Sequence, residues 1–296
     1  MKYALFLGCT TLSRLPAYEK SVRKLCEKLG IELADMSGSG CCGTTYMESL
    51  DEPTALSLAA RNICIAEQMG LDILTVCGGC TEVLTKANTA LKGDPQLRGE
   101  VNEILKEAGR EFRGTAQVKH LTRVLAEDIG VDKLRKAASR PLGGLRVAAH
   151  PGCHITKPSK LLKADDPYHP EVLDTLIEAT GAISLQYRRK NWCCGAPAAA
   201  ADQELGLRVL NEKLTQIERS GADCVVTACS YCHLQFERGQ PLIEDRLGVE
   251  HDLPVVDVTQ LLGLATGIPP RELGLDPNDP KTRKILQKIG NQGGTP

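Results

Sequence analysis

One cysteine pattern is written twice along the chain. It runs first as Cys9, Cys41-Cys42-Gly43 and Cys77-Gly78-Gly79-Cys80. Cys153, Cys193-Cys194-Gly195 and Cys229-Ser230-Tyr231-Cys232 repeat it, with a longer first gap and an identical second one, Cys194 to Cys229 matching Cys42 to Cys77. The surroundings repeat as well. Runs from Tyr3 and from Val147 both end in Gly-Cys, and each CxxC follows another short apolar run, Leu71 to Val76 and Ala222 to Ala228. Short β-branched runs of this kind read as buried parallel strands. Between them the period turns helical, with stripes at Tyr18, Val22, Leu25 and Leu29, at Leu56, Ala59, Ala60 and Ile63, and at Leu207, Leu210, Leu214 and Ile217. His120 to Leu125 and Asp257 to Leu262 close the two halves alike.

Alternating strands and helices written twice predict an α/β protein of two duplicated Rossmann-like halves, with short parallel sheets and cysteine-bearing loops at the strand ends. The halves span residues 1–140 and 141–268, joined near Ser139 to Gly144, where a proline and a glycine pair interrupt both periods. Residues 269–296 form a polar C-terminal tail with a basic helix around Lys281 to Lys288, expected to dock a partner or stay disordered. Open α/β sheets carry their sites at the carboxyl ends of strands, so the two cysteine sets are expected to face one cleft.

The chain has 296 residues, 36 basic and 37 acidic, for a net charge of -1. That balance supplies no basic field for a phosphate backbone, and no apolar run approaches the ~20 residues that span a bilayer, so nucleic acid and membrane insertion are not expected. The apolar run after Lys2 is shorter than a signal peptide requires, which points to a cytoplasmic protein. In that reducing setting the 13 cysteines are expected to bind metal or do redox chemistry rather than form structural disulfides. A structural zinc site uses four ligands, whereas each half offers five thiols that include an adjacent pair. Adjacent side chains diverge, which suits two irons of a broad cluster better than one small ion. The ferredoxin spacings are absent, so electrons must arrive from another protein.

The doubled pattern resembles the CCG domain of the B-type subunit of heterodisulfide reductase, along the chain up to about Ile268. The resemblance implies two noncubane 4Fe-4S clusters. Cys9, Cys41, Cys42, Cys77 and Cys80 would hold one, and Cys153, Cys193, Cys194, Cys229 and Cys232 the other. It further implies the catalytic subunit of an anaerobic, methanogenesis-related complex that reduces a small-molecule (hetero)disulfide to two thiols. Its partners would be a ferredoxin-like iron-sulfur subunit of the C type and a flavin-containing subunit of the A type. Two centres facing one S–S bond also match two electrons to one-electron carriers. The alternative is a CCG-domain electron-transfer subunit of a dehydrogenase or quinone-linked oxidoreductase that cleaves no disulfide. A third reading is a zinc-binding assembly module.

Other residues divide between chemistry and packing. His150 and His154 bracket Cys153; His154 is the expected proton donor to nascent thiolates, with a packed His150 and a loop-bracing His154 as the alternative, and His233 is expected to be structural. Cys26 and Cys64 on helices and Cys224 in a strand read as small core hydrophobes. Lys157, Lys160, Arg188, Arg189 and Lys190 are candidates for anionic groups of a substrate or form a solvated face. Trp192 either shields the second adjacent pair or packs.

Overall fold

The structure, a computed structural model, describes residues 1–290. It contains two four-stranded sheets whose strand pairs are all parallel. The first sheet comprises β1 (Lys2–Phe6), β2 (Glu32–Asp35), β3 (Ile73–Thr75) and β4 (Val118–His120), in the order β2-β1-β3-β4. The second repeats it with β5 (Arg146–His150), β6 (Ile183–Leu185), β7 (Cys224–Thr227) and β8 (Val255–Asp257), in the order β6-β5-β7-β8. The duplicated α/β architecture is therefore as the cysteine pattern predicts.

In both sheets the chain first steps to one side and then to the other, so the direction of strand order reverses between β1 and β3 and between β5 and β7. Crevices open at such switch points. Register fixes what enters them. Phe6 pairs with Thr75, and His150 with Thr227. Cys9 and Cys77 thus leave one sheet side by side, and Cys153 and Cys229 leave the other in the same way.

The segments after these strands are helical rather than open loops. Cys9 lies in the short helix Gly8–Arg14 and Cys153 opens the helix Cys153–Thr156. Cys77 and Cys229 are the N-caps of Gly78–Gly93 and Ser230–Leu247, with Cys80 and Cys232 in the first turns. The first two helices are too short to display an apolar period.

The halves interlock reciprocally. Helix Val258–Ala265 of the second half packs on Pro16–Leu29 of the first, and Leu121–Arg123 of the first packs on Val172–Glu178 of the second. Gly8–Arg14 rests on Ser230–Leu247, and Cys153–Thr156 on Gly78–Gly93. An approximate two-fold axis therefore runs between the two CxxC helices. At the seam, buried Ser21 donates to Asp257 Oδ2 at 3.0 Å and shares a 2.7 Å bond with Thr259.

The polar tail is ordered through its described part. Pro270–Leu273 forms a 3-10 turn and Pro280–Gly290 a helix, burying Leu273 and Ile285. Gly274 adopts φ +72°, and a Cβ there would stand 2.7 Å from Ala17, so this stretch crosses back onto the first half. Its few apolar residues are spaced to pack, which a mean polarity conceals. Residues 291–296 of the expected tail lie outside the described part of the chain.

Candidate metal centre

The two CxxC helices meet at their N-termini, with the Cys77 and Cys229 sulfurs 3.8 Å apart and the Gly78 N–H 3.3 Å from Cys229 Sγ. A helix N-terminus favours negative charge, and both cysteines are caps there. From this junction the thiols act on one another outward in both directions. Cys77 reaches Cys80, Cys80 reaches Cys42, and Cys42 reaches Cys41. On the other side Cys229 reaches Cys232, then Cys194, Cys193 and Cys153 follow in turn. Nine of the ten pattern cysteines form one continuous line of sulfur. Cys9, the tenth, is exposed at the same cleft, 4.0 Å from Thr10 Oγ1.

Protons are shared unevenly along the line. Bonds from Cys41 and Cys80 draw Cys42 down to about 4, and bonds from Cys232 and Cys77 hold Cys229 well below the ordinary thiol range. Cys193 is likewise lowered, first by Cys153 and then by Cys194, while its donor Cys153 is pushed up. Backbone N–H groups of Gly43 and Gly195 approach Cys41 Sγ at 3.4 Å and Cys193 Sγ at 3.3 Å. Both glycines have positive φ, +99° and +88°, which turns the chain into the following helix directly after each adjacent pair. Gly8, before Cys9, shares the positive φ, at +73°, and has a second reason: a Cβ there would stand 2.9 Å from Cys80 Sγ.

A cleft of about 220 Å³ lies over the junction, lined by eight of the ten pattern cysteines. Tyr46 of the first half donates to the Pro197 carbonyl of the second across it. All thirteen cysteines are free, the adjacent pairs included. Soft thiolates in this number, assisted by backbone N–H groups, suit iron with inorganic sulfide, whereas zinc would leave most of the donors unused.

Other expected residues fall as follows. His154 lines the cleft with Nδ1 3.5 Å from Glu82 Oε2, a buried carboxylate on the opposite half. That contact, foremost, raises the His154 pKa. His233 bonds Thr227 at 3.1 Å and stands edge-on to Tyr18, a packing role as expected. His150 is fully buried against Phe236, yet neither ring nitrogen has a partner. One of them lies within 4.8 Å of the Cys194 and Cys232 sulfurs. Cys26, Cys64 and Cys224 are buried, and burial pushes each thiol up to about 12.

The basic residues do not line the cleft. Lys190 is buried on Asp174 and the Pro170 carbonyl, and Arg189 lies 4.2 Å above the half-exposed Trp192 ring while pairing with Glu212. The sequence reading passed over two residues that hold the adjacent pairs. Asn62 accepts from the Gly40 N–H and donates to the Cys41 carbonyl at 3.1 Å. Lys213, buried, donates to the carbonyls of Arg189, Lys190 and Trp192 at 2.6, 2.8 and 2.9 Å. Glu82 was also missed. Each looks like an ordinary polar position on an amphipathic helix, and only the fold turns it inward.

A doubled scaffold that gathers ten thiols in and around one cleft, eight of them lining it, defines a sulfur-ligating metalloprotein of iron-sulfur type. The cysteine-rich CCG domain model matches residues 3–85 and 147–237, once in each half. The chain belongs to the cysteine-rich CCG family that includes the B-type subunits of heterodisulfide reductases. It is 42% identical, over 97% of both chains, to the B-type subunit of the ferredoxin/F(420)H(2)-dependent CoB-CoM heterodisulfide reductase of Methanosarcina acetivorans. It is also 32% identical to the 8-methylmenaquinol:fumarate reductase membrane anchor subunit of Wolinella succinogenes, over 94% of this chain and 96% of that one. In fold it resembles a hypothetical protein from Helicobacter pylori, with TM-score 0.74 and 16% identity over 93% of this chain and 51% of that chain. Among the described residues no helix is long and apolar enough to cross a membrane.

Proposed function

We propose that this chain is the disulfide-reducing subunit of a heterodisulfide reductase-like complex. In this reading the set from Cys9 to Cys80 and the set from Cys153 to Cys232 each hold a noncubane 4Fe-4S cluster. The observation that carries it is the 3.8 Å approach of Cys77 to Cys229 on the two-fold axis, which lets one bound disulfide border both sets. Iron-sulfur clusters supply one-electron transfers, so two of them match the two electrons in RS–SR′ + 2e⁻ + 2H⁺ → RSH + R′SH. The protein's own part is to bind and to manage protons. The cleft lining is largely apolar and is bridged by Tyr46, which limits the water around a bound S–S bond. His154, with Glu82 behind it, is the group positioned to give a proton to a departing thiolate. A ferredoxin-like subunit would deliver the electrons, with a flavin subunit beyond it, in the cytoplasm.

A second reading, electron transfer without disulfide cleavage, is favoured by the near full-length likeness to the Wolinella anchor subunit. One experiment separates the two. The chain is purified anaerobically, iron and acid-labile sulfide are counted, and candidate disulfides are added with reduced viologen while free thiols are titrated. About eight irons per chain and two thiols released per two electrons support the proposal. Full iron with no thiol release from any disulfide transfers support to the second reading, and zinc without sulfide overturns both.

A further inference from the structure

The two halves match in backbone and in cysteines but differ in what surrounds the sulfur. By the repeat, His150 at the end of β5 corresponds to Phe6 at the end of β1, since both end the strand that leads to a Gly-Cys step. Lys213 corresponds to Arg61, the two standing equally far beyond the first cysteine of their adjacent pairs, Cys193 and Cys41. Both cations brace the loop before that pair, but differently. Arg61 donates from the solvent side to the Gly38 carbonyl at 2.9 Å, whereas Lys213 is sealed inside, its charge felt by Cys194, Cys232, Cys193 and Cys153. Burial draws the Lys213 amine down to about 7 and the thiols around it push the other way. Its three carbonyl acceptors match the three donors that only an ammonium possesses. His150 brings an imidazole with no protein partner to within 4.8 Å of two sulfurs of the same set. Phe6, buried at the corresponding place, has no side-chain donor to offer the first set. The first half has one buried imidazole of its own, His120; its Nδ1 is engaged with Thr122 at 2.8 Å, and its Nε2, though also without a partner, does not fall within 4.8 Å of a pair of sulfurs as His150 does.

Resting on the reading that each set holds an iron-sulfur centre, we infer that the two centres have unequal reduction potentials, the Cys153 to Cys232 centre being the higher. His150 and Lys213 are the residues that raise it. Donors to sulfur and nearby positive charge stabilise the more negative, reduced state, and a buried charge acts with little screening. Electrons entering the chain therefore collect on the second half, on the side of the cleft that carries His154.

The test is a potentiometric titration of the anaerobically purified full chain, followed by EPR and visible absorption. The wild type should show two resolved waves. H150F, which installs the residue of the first half, and K213M should each change the oxidised-to-reduced ratio of the higher centre about tenfold at fixed potential. For a one-electron couple that is about 59 mV downward. The lower wave should stay in place, and H150Q, which keeps an N–H donor, should recover most of the H150F shift. Coincident waves in the wild type, or equal movement of both waves in H150F, would overturn the inference while leaving the iron count, and so the proposed function, intact. A chain without iron would fail the proposed function first. Should K213M lose iron from its half, the wild-type waves and the two His150 variants decide the matter alone.

Discussion

Replacing the glycine after each adjacent cysteine pair by alanine separates backbone conformation from close packing. Gly43 and Gly195 share a left-handed backbone, with φ +99° and +88°, so alanine at either costs about 1–2 kcal/mol for that conformation alone. Their surroundings differ. A Cβ at Gly43 meets nothing nearer than 3.7 Å, an ordinary contact, whereas at Gly195 it would fall 2.4 Å from the backbone oxygen of Gly206. That oxygen belongs to helix Gln203–Arg219, which cannot yield like the tip of a side chain. Overpacking adds roughly 1–3 kcal/mol. Gly43→Ala should therefore destabilise by about 1 kcal/mol and Gly195→Ala by about 4 kcal/mol, a difference of about 6–12 °C in Tm at roughly 2–4 °C per kcal/mol. Thermal unfolding of the anaerobic protein by circular dichroism reads the stability, and iron per chain reads the site, with the larger loss expected in Gly195→Ala. Equal melting temperatures in the two variants would refute the reasoning, because conformation would then be the whole cost.

Asp257 is fully buried at the seam, and desolvation lifts its carboxyl from the ordinary 3.8 to about 6 despite bonds from Thr259, Gln260 and Ser21. The folded state therefore holds this proton more tightly than the unfolded one. Stability falls as pH rises through that window, by about 3 kcal/mol in all and by about 1 kcal/mol between pH 5 and pH 7. Urea unfolding of Asp257→Asn should lose that component, and a slope identical to wild type would reject it. Cys193→Ser should remove about half of the iron and sulfide while leaving the centre of the first half spectroscopically unchanged; loss of all iron would contradict two separate sets. His154→Gln should slow disulfide turnover by roughly 10²-fold, the lower end of general acid catalysis, with iron content unaltered. Unchanged turnover would remove His154 from proton delivery.

The scaffold was legible because cysteine spacing and strand runs repeat together: the identical gaps from Cys42 to Cys77 and from Cys194 to Cys229 leave little freedom for the helix between them. Register was not legible. That Phe6 and His150 end level with Thr75 and Thr227 depends on pairing between segments far apart in the chain, which no local pattern records. The helical state of Cys9 and Cys153 was hidden for a related reason, since those helices are held by the opposite half's CxxC helix and not by a period of their own. Lys213 and Glu82 were invisible as site residues because their types normally face water, and burial of each depends on a partner supplied from elsewhere in the chain. The tail's basic helix around Lys281 to Lys288 was legible, but its seating on the body was hidden by composition: Ile285 and Leu273 are enough to hold it.

The reciprocal packing of the halves has a consequence for how such a molecule diversifies. Helix Val258–Ala265 clasps the first half as Leu121–Arg123 clasps the second, the arrangement expected of two identical protomers embracing one another. In a homodimer any exchange of a side chain appears on both flanks at once. Covalent fusion releases that constraint, so that a phenylalanine can persist on one flank while its counterpart becomes a histidine, and a symmetric vessel acquires a direction.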